Sequence, residues 1–263
     1  MSIVQSTQSM DVRADDVILS AKGISKQFSG FMAVKDVNLD VARGSIHGLI
    51  GPNGAGKTTC FNLLTKFLQP TSGKIIFNGR DITAMKPDGI ARLGMVRSFQ
   101  ISAVFTQMTL LENVRIALQR RRGESFDFWR SETLLAKHNA EALERLDQVS
   151  LADMAHLTAG ELPYGRKRAL EIATTLALEP EMLLLDEPMA GMGQEDIERT
   201  AELIRRIAVN RTVLMVEHNL SVVSSLSDRI TVLARGQVLA EGDYETVSKD
   251  PQVIEAYIGV GYD

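Results

Sequence analysis

Gly51-Pro52-Asn53-Gly54-Ala55-Gly56-Lys57-Thr58-Thr59 is the stretch from which the rest of the chain can be read. It fits the pattern GxxxxGK[ST], in which a glycine-rich turn joins a strand to a helix and aims backbone N–H groups at phosphate. The flanks have the required form. Ser45-Ile46-His47-Gly48-Leu49-Ile50 reads as a short buried strand, and Lys57-Thr58 open a helix whose positive end faces the loop. Glycine is needed where the backbone must curl without a Cβ in the way. The segment is therefore expected to cradle a nucleoside triphosphate, with Lys57 on the β- and γ-phosphates and the Thr58 hydroxyl on Mg²⁺.

Composition bounds what such a loop can serve. With 263 residues and 44% hydrophobic content the chain can bury a large core. A formal charge of -4 supplies no basic field, so sequence-independent nucleic-acid binding and adhesion to anionic lipid are disfavoured. No run approaches the ~18 apolar residues that span a bilayer, and Met1–Asp16 lacks the basic start and apolar stretch of a secretory signal, so a cytoplasmic protein is expected. The single cysteine, Cys60, follows the loop on the inner face of a helix and is read as core rather than redox chemistry.

Outward from the loop, residues 1–16 are polar and aperiodic and read as a loose arm. Val17–Ala21 and Val34–Val41 alternate apolar and polar residues around Gly30, as half-exposed antiparallel strands do. The helix after the loop is expected to run through Cys60–Leu68 until Gln69-Pro70-Thr71-Ser72-Gly73 stops it. Lys74–Asn78, ending at Asn78-Gly79, and Met95–Phe99 read as further strands. From about 101 to 178 the pattern is helical. Leu110, Leu111, Val114 and Leu118 share one face, and Leu134, Leu135, Leu143, Leu146 and Val149 another. Met182–Leu185, Thr212–Val216 and Ile230–Leu233 are continuous apolar runs separated by helical stretches, the mark of parallel strands buried on both faces. Val238–Glu241 and Val253–Tyr257 read as a last strand and helix. The expected fold is α/β: a P-loop NTPase core with a mainly parallel sheet, an antiparallel β subdomain and an inserted helical subdomain, spanning 17–263.

Asp186-Glu187 follow one of these apolar runs, at the strand end where open α/β sheets bind ligands. Asp186 is a hard-oxygen ligand for Mg²⁺, and Glu187 can orient the attacking water or take its proton. His218, preceded by Glu217, ends the next run at a similar height and can donate to the γ-phosphate.

On these residues the chain resembles the ATP-binding cassette (ABC) ATPases from about Val17 to the end. The resemblance implies that Phe28, in Lys26-Gln27-Phe28-Ser29-Gly30, stacks on adenine, with a core phenylalanine as the alternative. It implies that Gln100, in Ser98-Phe99-Gln100, touches Mg²⁺ and the water, and that Ala190-Gly191-Met192-Gly193 crosses to a partner subunit. Where many members have Leu-Ser-Gly-Gly-Gln, this chain has Leu162-Pro163-Tyr164-Gly165-Arg166. Pro163 offers neither hydroxyl nor N–H, yet a helix can begin there, leaving Tyr164, Gly165 and Arg166 to face the opposite subunit's ATP. Arg166-Lys167-Arg168 also reads as a solvated basic cluster.

Within the family, Tyr164-Gly165, Val216-Glu217-His218-Asn219 and Glu255-Ala256-Tyr257-Ile258-Gly259 look most like the ATPase subunits of branched-chain amino-acid importers. The lipopolysaccharide-export ATPase is the next likeness, and a soluble cassette for cofactor assembly is a further alternative. The resemblance implies a head-to-tail pair with a second cassette, self or paralogue, closing over ATP and Mg²⁺. It also implies two transmembrane permease subunits, a periplasmic solute-binding protein acting indirectly, and a place on the inner face of the cell membrane. Beside Arg120-Arg121-Arg122, Phe126, Phe128 or Trp129 is expected against a permease helix, or within an internal capping cluster.

Overall fold

The structure, a computed structural model, describes residues 16–98, 104–122 and 138–258. Gln100, Phe126, Phe128 and Trp129 lie outside the described residues, as does the expected arm apart from Asp16.

Two sheets organise the described residues. The first is antiparallel, in the order β2 (Phe31–Ala42), β1 (Val17–Phe28), β4 (Ser72–Phe77), β5 (Arg80–Asp81). Alternation is clearest in β2, where Val34, Val37, Leu39 and Val41 are buried between exposed neighbours. Asn78 and Gly79 both have positive φ, +48° and +73°, as a two-residue hairpin requires, and they turn β4 into β5.

The second sheet has six strands in the order β10 (Gln237–Gly242), β9 (Arg229–Ala234), β3 (Ile46–Ile50), β8 (Thr212–Val216), β7 (Met182–Asp186), β6 (Met95–Ser98). All pairings are parallel except β10 with β9. Its inner strands need apolar residues at every position because both faces are covered. Met182, Leu184, Leu214 and Val216 enter a core shared with the antiparallel sheet and α1 (Lys57–Leu64). Leu183, Leu185, Val213 and Met215 enter a second core under the helices. That period-2 division explains why these runs do not alternate.

The helices of the second core include α3 (Leu110–Arg122), α4 (Asn139–Gln148), α5 (Tyr164–Leu176), α6 (Gln194–Ala208) and α7 (Leu220–Leu226); α2 (Pro87–Arg92) precedes β6. Helix α8 (Tyr244–Ser248) and helix α9 (Pro251–Ile258) end the described chain. Helix α3 starts with a capping box: the Thr109 N–H donates to Glu112 Oε2 at 2.8 Å, and the Glu112 N–H donates to Thr109 Oγ1 at 3.2 Å.

Two expectations shift. Helix α1 ends at Leu64 rather than continuing to Leu68, because the Thr65 hydroxyl bonds back to the Phe61 carbonyl at 2.8 Å and Lys66 turns left-handed at φ +63°. Leu143 is exposed, not packed; Ala142, Arg145 and Leu146 occupy the inner face of α4, and Leu143 lies one residue round from it.

His47, in the middle of β3, is fully buried with Nε2 2.8 Å from Thr231 Oγ1, and burial together with nearby Arg229 lowers its pKa to about 3. An unfolded histidine protonates near pH 6.5, so this contribution to stability is complete above that pH and is lost as pH falls from there toward the folded value. Urea denaturation at pH 7 and pH 5 is expected to show the parent losing about 2 kcal/mol more than His47→Gln; identical losses in both proteins would contradict the assignment.

Candidate functional site

The phosphate-loop segment leaves the carboxyl end of β3, and its glycines sit where a side chain cannot. A Cβ on Gly51 would lie 2.1 Å from the Leu233 carbonyl oxygen; one on Gly56, at φ +96°, would lie 2.6 Å from that of Ala33. Gly56 also caps α1 in the left-handed conformation that glycine adopts at least cost. The Ala55 carbonyl accepts from the Gly236 N–H at 2.9 Å, so the β9–β10 turn braces the loop from behind. Asn53, Gly54 and Thr58 are exposed, and the N–H groups of Lys57, Thr58 and Thr59 precede the first intrahelical bond, from Cys60 to Gly56 at 2.8 Å. Gly54, at φ +75°, has open space where a Cβ would be. This is a concave, donor-lined cradle that suits a polyphosphate.

The Lys57 ammonium folds over the loop, donating to the Gly51 carbonyl at 2.7 Å and the Pro52 carbonyl at 3.0 Å. Burial lowers its pKa, and the Glu187 carboxylate pushes the other way. The acidic doublet, far away in the sequence, is thus within electrostatic range of the phosphate-loop lysine. The sheet order explains the meeting: β8 lies between β3 and β7, and all three strands end on the same edge. Lys57, the Glu217-His218 pair and the Asp186-Glu187 pair therefore form one row. Ser98, opposite Leu185 at the end of β6, leads the chain toward Gln100, which is outside the described residues.

Asp186 is 1% exposed and paired with Arg97, whose Nη2 lies 2.6 Å from Oδ2. Arg97 is held by Asn62 Oδ1 at 2.6 Å and lies over the rings of Phe61 and Phe67 at 5.0 and 5.3 Å. Arg168 is buried as well: it bonds Glu171 at 2.5 Å, Ser98 Oγ at 3.4 Å and the Asp186 carbonyl at 3.3 Å. The reading of Arg166-Lys167-Arg168 as a solvated cluster is thereby corrected for Arg168, because α5 turns that side chain inward. Neither its role nor that of Arg97 was foreseen. The available signal was a lone arginine in the otherwise apolar start of β6, Met95-Val96-Arg97.

Glu187 adopts φ +44°, unusual for a residue with a Cβ, and its N–H donates to the Val216 carbonyl at 2.9 Å. His218, within this row, has 60% of its side chain exposed. Phe28 is 41% exposed, with the Lys26 ammonium 5.2 Å from its ring centroid, and so is not a core residue. Its hairpin partner Phe31 is 70% exposed, and β2 runs from there to Ala33 beside the loop, so an aromatic platform stands next to the phosphate cradle.

Tyr164, Gly165 and Arg166 are set apart from this row. Pro163 is the N-cap of α5 without a side-chain cap bond, Tyr164 is 55% exposed, and Gly165 packs so closely on Asp196 that a Cβ would lie 2.8 Å from its carboxyl carbon. The Arg166 guanidinium lies against the Met154 sulfur. Cys60 is fully buried, and burial pushes its thiol up to about 12. The loop also lines a cleft of about 730 Å³ with Arg235, Gln237, Gln252 and Glu255.

A family model described as "ABC transporter" matches residues 34–190. The chain belongs to the ABC transporter family. A second model, described as "Branched-chain amino acid ATP-binding cassette transporter", matches residues 237–263. The chain is 40% identical over 252 residues to the high-affinity branched-chain amino acid transport ATP-binding protein BraF of Pseudomonas aeruginosa, covering 92% of this chain and 98% of that one. It is 39% identical over 249 residues to LivG of Escherichia coli, with the same coverage. A solved nucleotide-free ATP-binding cassette from an ABC transporter superposes with a TM-score of 0.81 at 31% identity, over 92% of this chain and 99% of that one. The solved ADP conformation of an ATP-binding cassette of an ABC transporter matches with a TM-score of 0.81 at 29% identity, at the same coverage. This ABC chain is thus an ATPase, and the loop at 51–59 lies within the matched family region.

Arg97→Met is expected to destabilise the protein by about 3 kcal/mol, because Asp186 is left buried and unpaired, and Asp186→Asn in the same chain should recover part of that loss. Urea titration of the single and double variants checks this; strictly additive losses would mean that the pair is not coupled.

Proposed function

We propose that the chain is the ATP-hydrolysing subunit of an importer for branched-chain amino acids or related small polar solutes. The observation that carries the catalytic part is the single row formed by Lys57, Glu187 and His218 along one sheet edge. The solute class rests on the names of BraF and LivG together with the C-terminal family match.

In this reading the N–H groups of residues 51–59 and the Lys57 ammonium hold the triphosphate, exchanging loop carbonyls for phosphate oxygens, while Phe28 stacks on the adenine. Glu187 orients the attacking water and takes its proton, and His218 donates to the γ-phosphate. Thr58, exposed beside the loop, and Asp186, with Oδ2 held by Arg97 and Oδ1 left over, form a hard-oxygen donor set that suits Mg²⁺, with Gln100 as the third assigned residue. The ion would neutralise charge on the phosphates. Among the described residues no group of three or more His, Cys, Asp or Glu could hold a metal ion by itself.

A second cassette, identical or paralogous, supplies Tyr164, Gly165 and Arg166 to the ATP from the opposite side, head to tail. Closure is driven by contacts that exist only in the closed pair and end when the γ-phosphate leaves. Two permease subunits receive that motion, and a periplasmic binding protein delivers the solute to them. Among the described residues no helix is long and apolar enough to cross a membrane, and we place the chain on the inner membrane face through its permease. Residues 17–263 then act as one ATPase domain, with 101–178 as the helical insert that carries the contact to the partner.

Lys57→Ala is expected to weaken nucleotide affinity at least a hundredfold. Glu187→Gln should keep that affinity, cut turnover at least a hundredfold and trap a dimer in ATP. Fluorescent-nucleotide titration, phosphate release and size-exclusion chromatography separate these effects, and parental turnover in Glu187→Gln would remove its assigned role. Pro163→Ser adds a cap to α5 worth about 1 kcal/mol and restores a hydroxyl toward the opposite ATP. It should raise the melting temperature and lower KM for ATP; an unchanged KM would place this residue away from the phosphate. Solute-stimulated phosphate release and ATP-dependent leucine uptake in proteoliposomes holding the assembled transporter test the transport assignment.

A further inference from the structure

Glu217 has no role in binding or hydrolysis so far, yet it is only 1% exposed at the heart of the row. Its Oε1 accepts from the Met189 N–H at 3.1 Å and its Oε2 from the His218 N–H at 3.2 Å; burial raises its pKa, and these two N–H groups, with the Asn219 N–H, act in the opposite direction. A buried carboxylate is costly unless its oxygens are satisfied. Here they are satisfied by backbone donors from two separate loops. One follows Glu187 and continues into Ala190-Gly191-Met192-Gly193; the other carries His218.

The arrangement bears directly on Glu187. A non-glycine residue at φ +44° is strained, and such a conformation persists only where its surroundings over-determine it. Two ties do so from the end of β8. The Val216 carbonyl accepts from the Glu187 N–H at 2.9 Å, and the Glu217 carboxylate accepts from Met189, two residues on. The first tie is a backbone bond that any residue could supply. The second needs an acceptor-only side chain with two oxygens, one for each loop. Glutamine keeps one oxygen but turns an N–H₂ toward the other donor, and alanine removes both.

We propose that Glu217 is a positioning residue for hydrolysis, clamping the strained backbone around Glu187 to the backbone of His218 so that both side chains keep one relation to the γ-phosphate. This rests on the catalytic reading of Glu187 and His218 under Proposed function. Nucleotide affinity belongs to the phosphate loop, which Glu217 does not touch, so the clamp acts on turnover and not on binding.

The test uses the full chain assembled with its permease subunits, comparing Glu217→Gln, Glu217→Ala and Glu187→Gln with the parent. Both Glu217 variants should lose at least tenfold in kcat while KM and fluorescent-nucleotide affinity stay within twofold. Hydrogen exchange should rise at least tenfold in peptides covering 187–193 and 217–220, with β3 and the phosphate loop still protected. A kcat within twofold of the parent in Glu217→Ala, alongside an arrested Glu187→Gln, overturns the clamp alone. Parallel losses of kcat, affinity and melting temperature also overturn it, since they describe a merely structural residue. Parental turnover in Glu187→Gln removes the catalytic reading itself, and the proposal with it.

Discussion

The hydrogen-bonded alignment of β3, β8 and β7 is the constraint on which this molecule depends. Parallel pairing sets Ile46 against Val213 and Leu183 against Val213, so the three strands end together and present their C-terminal extensions on one edge. Those extensions are a glycine loop, a Glu-His pair and an Asp-Glu pair. None of these segments is sequentially near another, and none could hold the rest in place through its own turn. Burial on both faces supplies the rigidity: alternate residues of each strand enter different cores, so a one-residue slip would exchange the two sets and move every edge group.

Charge at that edge is managed by buried arginines. Asp186 is excluded from water, and Arg97 compensates it through one carboxylate oxygen. Arg97 is itself fixed by Asn62 and two aromatic rings, so the Asp186 carboxylate is oriented by groups drawn from α1, the segment after it, and β6. Arg168 reaches the same strand end from α5, through the Asp186 carbonyl and Ser98. The helix that begins at Pro163-Tyr164 is thereby mechanically tied to the strand bearing the acidic doublet.

Much of this was legible because it is local. The phosphate loop and the Asn78-Gly79 hairpin each depend on residues a few positions apart, and each appears where its pattern stands. Apolar runs marked the central strands because burial on both faces removes alternation. Element ends were less legible. Helix α1 stops early through a Thr65 back-bond and a left-handed Lys66, neither of which leaves a trace in hydrophobic periodicity. Leu143 misled because apolar identity does not fix rotation; its α4 neighbours, with buried Arg145 among them, claim the inner face.

By itself the sequence determined that a phosphate cradle follows a buried strand, that two carboxylates follow another, and that a helical stretch separates them, because each statement concerns spacing along one segment. Only the tertiary structure decided which charges meet. Arg97 and Asp186 are 89 residues apart, and Glu217 reaches Met189 from 28 residues away. Such pairs leave no local pattern, since the attraction between them acts through a sheet order that the cores impose.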